Sequence, residues 1–235
     1  MQRYFASKKG NNIILEDGDV HHLLHVMRAH NGDEIEAVVD KKLYSCLIKS
    51  TSPLAIEINY EIPTNSELPN NVTLFFALAK GDKIDFVIQK ATELGVSQIV
   101  LINTERSVVR YEPKDINRKL ERFNKIAKEA SEQSHRLAVP VIKGIYDLDK
   151  IPDDLFADVN LLAYEKEAEQ GSLIPNIDKN ASLSIMIGPE GGFSIKEVEY
   201  LVNKGFKPVS LGKRILRTET AALYALSVIG FLLER

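Results

Sequence analysis

The chain has a single cysteine, Cys46, in 235 residues. One thiol excludes an internal disulfide framework and a cysteine-built zinc site, and it suits a reducing compartment, the cytoplasm. Charge of one sign is also missing. The formal net charge is −3, so no global field draws the chain to nucleic acid, and any such binding must come from local patches. The N-terminal MQRYFASKKGNN lacks the apolar core of a secretory signal. Residues 221–233, the most apolar stretch, are too few to span a bilayer and include Tyr224 and Ser227. Repeats and low-complexity tracts are absent. A soluble protein without a membrane partner is expected.

Hydrophobic residues make up 44% and charged residues 27%, an ordinary globular balance with material for one large or two modest domains. In the first sixty or so residues, NIILE, DEIEAVVD, LYSCLIKS and LAIEINYEI alternate apolar and polar between Asp-Gly, Asn-Gly-Asp and Ser-Pro punctuation. That pattern predicts a small β-barrel or sandwich over 1–66. A helical piece, VHHLLHVMRAHNG, interrupts it and is expected to close at Gly32. EIPTNSELPNN, residues 61–71, has no apolar period and reads as a linker.

From Val72 to the end at 235 the pattern changes. VTLFFALA, QIVLI, VNLLAY, LSIMI and PVSL read as buried strands. Between them, Ile84, Val87, Ile88, Ala91 and Leu94 mark one helical face capped by Gly95, and Pro113 opens a helix carrying Ile116, Leu120, Phe123, Ala127 and Ala130. Strands alternating with helices predict an α/β domain with a parallel sheet covered on both faces.

Two segments are unusual. IGPEGGFS, 187–194, ends a strand, and Ser194 with Glu197 forms an S-x-x-E capping box for the next helix. Gly188, Gly191 and Gly192 can take positive φ and expose bare main chain at the carboxyl edge of the sheet, where open α/β sheets bind ligands. The spacing matches neither the dinucleotide nor the phosphate-cradling glycine motif. In LGKRILRTETAALYAL, 211–226, Lys213, Arg214 and Arg217 follow Gly212 and precede an almost wholly apolar helix. Such a helix is expected to be buried all round, in a core or against another subunit. The three cations fit either an anion site or a solvated basic rim.

Both segments closely resemble the cofactor loops of the SPOUT methyltransferases, and the chain as a whole resembles the ribosomal RNA small-subunit methyltransferase E family. RYF, HHLLHVMR, KGDKIDFVIQKATELGV, ERSVV, EASEQSHRLAVP and the two loops occur in a fixed order over nearly the whole chain. Met27 before Arg28 and His135 before Arg136 depart from the usual pattern. The resemblance implies a PUA-like barrel that grips RNA, a trefoil-knotted SPOUT domain, a homodimer, and S-adenosyl-L-methionine as cofactor. The implied substrate is N3 of a uridine in 16S ribosomal RNA of the small ribosomal subunit.

The implied cofactor site has three parts. Leu162 and Glu165 end one strand, and Ile187, Gly188, Pro189, Glu190, Gly191 and Gly192 form the second loop. Leu211, Gly212, Ile215 and Leu216, with Thr220 and Ala221 beyond them, form the third. A sulfonium donor needs neither metal nor covalent nucleophile, only alignment. Uridine N3 must lose a proton, so a base or a cation beside O2 or O4 lowers the barrier. Arg136 and Arg217 are the candidate cations and Glu219 the candidate base or orienting acceptor. Phosphate positioning for Arg136 and helix capping for Glu219 are the plainer alternatives.

His21, His22, His25 and His30 are four of the five histidines. His21 and His25 have metal-compatible spacing, but no third ligand is evident and no metal is expected. Arg3, Tyr4, Phe5, His22, His25 and Arg28 mix cations and rings as single-stranded RNA sites do. Residues 114–136 carry seven Lys/Arg against four Asp/Glu, usually a solvated face, though Gln133 and Ser134 at its end are placed to reach substrate. The alternatives are a SPOUT enzyme for another RNA site and a non-catalytic RNA-binding assembly factor. A hydrolase lacks support, because no G-x-S-x-G elbow is present.

Overall fold

The computed structural model describes residues 1–165, 178 and 181–235, folded as two compact units. The first comprises Met1–Glu67 with Ser131–Ala138, the second Leu68–Ala130 with Val139–Arg235. Residues 131–138, assigned above to the α/β half, therefore group with the first unit.

In the first unit, β1 (Arg3–Phe5), β2 (Ser7–Lys9), β3 (Asn12–Ile14), β4 (Glu34–Val39), β5 (Lys42–Thr51) and β6 (Leu54–Ile62) make one sheet. Its order is β1-β4-β5-β6-β3-β2, with β1 parallel to β4 and the other pairs antiparallel. The two-residue period of β4 sorts its side chains. Ile35, Ala37 and Val39 enter the main core with Tyr4, Cys46 and Ile48. Val38 faces the other way, against Leu43 and Leu137, which is why the 131–138 segment belongs here. The helical piece is shorter than expected. α1 (Asp17–His21) passes into a π-helical turn, His22–Val26, and the chain reverses at Arg28, φ 54°. Gly32, φ 93°, serves the next turn instead, donating its amide to the Ile48 carbonyl.

The second unit contains β7 (Val72–Ala77), α2 (Lys83–Glu93), β8 (Gln98–Asn103), α3 (Pro113–Gln133) and β9 (Val141–Asp147). It continues with β10 (Val159–Ala163), β11 (Leu183–Ile187), α4 (Ile195–Asn203), β12 (Phe206–Val209) and α5 (Thr218–Leu233). The last residues of α3 are those that group with the first unit. All six strands are parallel in the order β12-β10-β11-β7-β8-β9. Central β7 and β11 are buried along their whole length, as continuous apolar runs require when both faces of a sheet are covered. Edge strand β9 has no such run. Its Val141 and Lys143 are exposed, Gly144 sits at φ 134°, and its register with β8 slips; for these reasons it does not stand out in the sequence. Gly95, φ 88°, ends α2 at a position where a Cβ would lie 2.8 Å from Leu68.

The chain builds β7, β8 and β9 on one half of the sheet before it lays β10, β11 and β12 on the other. The carboxyl ends of three adjacent strands thus share one edge. Beyond them, α5 buries Ala222, Ala225, Leu226, Ile229 and Leu233 but leaves Tyr224 and Phe231 exposed, so the core of one chain covers only part of it.

Candidate functional site

The loops after β10, β11 and β12 enclose a cavity of about 290 Å³. Its walls comprise Ala163, Tyr164 and Glu165 from the first loop, Ile187, Gly188, Pro189, Glu190, Gly192 and Phe193 from the second, and Leu211, Gly212, Arg214, Ile215, Leu216 and Arg217 from the third. Thr218 and Ala221 of α5 complete it.

The glycines here do not all answer the same constraint. Gly192 has φ 66° and Gly212 φ 110°, backbone that favours glycine. Gly188 does not, but a Cβ there would stand 2.9 Å from the ring of buried Phe193. Gly191 also lacks positive φ. A Cβ on it would come within 3.3 Å of Arg106 Cβ, and its carbonyl accepts a hydrogen bond from Arg106 Nη1 at 2.9 Å.

The second loop is tied down from several directions. Ser194 caps α4 through the full reciprocal box with Glu197, and Glu197 Oε1 also accepts the amide of Glu105 at 2.7 Å. Buried Thr218 donates its hydroxyl to the Gly188 carbonyl at 2.7 Å, joining the start of α5 to this loop. Lys83, at the start of α2, donates to Glu190 Oε1 at 2.8 Å. The same ammonium lies 3.2 Å from Glu219 Oε2, a buried oxygen that takes part in the ion pair without accepting a hydrogen bond. The bond to Glu190, opposed by burial and reinforced by Glu219, raises the Lys83 pKa. Burial acts to raise the Glu190 pKa, but the Lys83 and backbone hydrogen bonds prevail and lower it.

Several sequence candidates sit elsewhere. Leu162 is fully buried in the core between sheet and helices; the strand's alternation turns it inward, and the next residues line the cavity. Gly191 faces Arg106 and is absent from the walls. Glu219 and Thr220 line a shallow groove between α2 and α5, with Lys83, Phe86, Leu223 and Tyr224. Sequence reasoning missed Tyr164, Phe193 and Thr218 on the walls and Lys83 and Arg106 behind them. The KGDK and ERSVV segments carried the signal for the last two.

Residues 66–230 match the family model of the RNA methyltransferase domain, and residues 15–59 match the RNA methyltransferase PUA domain. Ribosomal RNA small subunit methyltransferase E of Bacillus subtilis is 37% identical, the match covering 100% of this chain and 98% of the relative. The chain belongs to that family. The corresponding enzyme from Neisseria gonorrhoeae, solved bound to S-adenosyl methionine, superposes with a TM-score of 0.86 at 32% identity, over 99% and 98% of the two chains. A putative methyltransferase from Legionella pneumophila, in complex with the bound cofactor SAM, gives 0.87 at 28% identity, over 97% and 96%.

The PUA-like first unit of this family member sorts the expected RNA contacts. Arg3 is 5% exposed, paired with Glu36 at 2.8 Å and bonded to the His135 carbonyl; its charge is spent inside the unit, which corrects its expected place on an RNA-facing surface. Arg136, a catalytic candidate, is likewise buried in this unit and paired with Glu67. Phe5 packs against Val38, Leu43 and Leu137. His22 Nδ1 lies 3.0 Å from the Tyr4 hydroxyl. His25, Arg28 and Gln133 are exposed and Ser134 is half-buried. The His21 and His25 rings lie 4.8 Å apart, and among the described residues no group of three or more His, Cys, Asp or Glu is placed to hold a metal. Among the same residues, no helix is long and apolar enough to cross a membrane.

Proposed function

We propose that the protein transfers the methyl group of S-adenosyl-L-methionine to N3 of a uridine in 16S ribosomal RNA of the small ribosomal subunit. The observation that carries this reading is the convergence of three loops from adjacent parallel strands on one cavity, two of them glycine-bearing at its walls, in a family whose gonococcal member was solved bound to S-adenosyl methionine. The residues fit that molecule. Bare main chain at Gly188, Gly192 and Gly212 lets an adenine ring approach backbone donors and acceptors. Ile187, Leu211, Leu216 and Phe193 supply apolar walls, and the carboxylates of Glu165 and Glu190 suit its positive charge. When bound, it supplies a methyl group already activated on a sulfonium.

The chain's own task is alignment and proton handling. Arg217, exposed on the cavity wall, stabilises the anion that forms on the uridine carbonyls as N3 loses its proton. Glu219, two residues further along, orients Lys83 against the second loop from the adjoining groove. His25, Arg28 and Gln133 of the PUA-like unit contact RNA. The second unit carries the trefoil knot of its superfamily, the enzyme acts in the cytoplasm, and it works as a homodimer joined through α5, whose Tyr224 and Phe231 are exposed.

The test is to incubate the purified protein and labelled donor with small subunits lacking the modification, then locate the methyl group by mass spectrometry. One methyl on N3 of a single uridine is expected. Donor binding without methyl incorporation into any RNA would replace the enzyme by a non-catalytic assembly factor.

A further inference from the structure

The charges around the cavity are divided by loop. Its acidic wall residues, Glu165 and Glu190, come from the first and second loops; its basic ones, Arg214 and Arg217, come from the third. Residues 211–218 contain three cations, Lys213, Arg214 and Arg217, and no acid. All three cations are exposed. Elsewhere many cations are matched, as in Lys83–Glu190, Arg122–Asp85, Lys150–Asp147 and Lys204–Asp153. Among the described residues, Lys213, Arg214 and Arg217 form neither an ion pair nor a side-chain hydrogen bond. The nearest acid in sequence, Glu219, is engaged with Lys83.

Unpaired cations on and beside a cavity wall attract a polyanion. We propose that the third loop is the RNA-entry edge of the catalytic unit, with Lys213 and Arg214 contacting backbone phosphates beside the target nucleotide. This inference rests on the function proposed above. It places phosphate contacts in the methyltransferase unit, in addition to those of the PUA-like unit. Arg214 has the fork geometry that suits a phosphate, and Lys213 acts as a mobile point charge. Such contacts carry no sequence information; they position the strand so that the base can enter. The competing assignment is that Arg214 holds the donor's own carboxylate.

The two assignments separate in a Lys213→Gln/Arg214→Gln variant of the full chain. Its control is Lys196→Gln/Lys207→Gln, which removes two exposed cations outside the cavity. Donor affinity is measured by calorimetry without RNA, binding to unmodified small subunits is measured across a salt series, and methyl transfer is measured over a range of subunit concentrations up to saturation. The expected result is an unchanged donor Kd and an RNA KM raised about tenfold with kcat retained. The slope of log K against log salt should be shallower by about 1.4 to 1.8, the loss of two phosphate contacts. The control should match wild type. A weakened donor Kd with intact RNA binding would assign Arg214 to the donor and overturn the proposal. Unchanged RNA binding with an unchanged donor Kd would leave a solvated rim and overturn it equally, as would weaker RNA binding at an unaltered salt slope. Failure of the wild type to methylate any RNA would instead remove the function on which the inference rests.

Discussion

A Cβ placed on Gly188 would lie 2.9 Å from Phe193, a ring that is itself buried and lines the cavity. Ring and loop must therefore move together. Gly188→Ala should lower donor affinity roughly tenfold, about 1.4 kcal/mol, and Phe193→Leu in the same chain should recover part of the loss. Calorimetry on both variants checks this. Losses that merely add would show that the two positions are not in contact. Cys46 offers a second residue-level test. Burial pushes its thiol from 9.0 up to about 11, so the folded state holds its proton where an unfolded chain has lost it. By linkage this contribution to stability is intact below pH 9 and disappears as pH rises through about 11. Cys46→Ala should flatten the alkaline side of the stability profile, read from denaturant midpoints at successive pH values. At neutral pH the native thiol should react with a maleimide only on unfolding.

At the scale of elements, the second loop of the cavity is held by the turn after β8. Glu105 donates its amide to Glu197 and Arg106 donates to the Gly191 carbonyl, spans of 92 and 85 residues. Neither group lines the cavity, so this turn acts by fixing the loop's position. Arg106→Ala should raise the donor KM about fivefold, the worth of one partly exposed charge-assisted bond of about 1 kcal/mol, and leave kcat near wild type. Arg106→Lys should recover part of it. A fall in kcat with KM unchanged would place Arg106 in the transition state instead.

On the scale of the whole molecule, the exposed rings of Phe86, Tyr224 and Phe231 on α2 and α5 are the strongest physical support for association of two copies. A twofold interface would use the same patch on both subunits, so one charged substitution enters it twice. Phe231→Glu is expected to shift the sedimentation coefficient from dimer to monomer and leave the circular dichroism spectrum intact. A wild-type protein that stays monomeric at every concentration would end that reading.

Much of this architecture was legible because local chemistry set it. The continuous apolar runs of β7 and β11, the Ser194–Glu197 box and the turn at Gly95 depend on neighbours within a few residues, and their patterns recur in the sequence as they stand in the fold. Partners distant in sequence decided the rest. Arg3 and Arg136 read as free cations until Glu36, 33 positions away, and Glu67, 69 positions away, are seen to neutralise them. Leu162 and Ala163 read alike because both faces of the sheet are covered, and only the end of β10 shows which of them reaches the cavity. By itself the sequence determined periodicity, caps and the order of the loops, which are short-range properties of the chain. Tertiary structure alone decided which charges are spent in pairs and which, like Lys213 and Arg214, remain unpaired, because charge pairing depends on distance in space and not on distance along the chain.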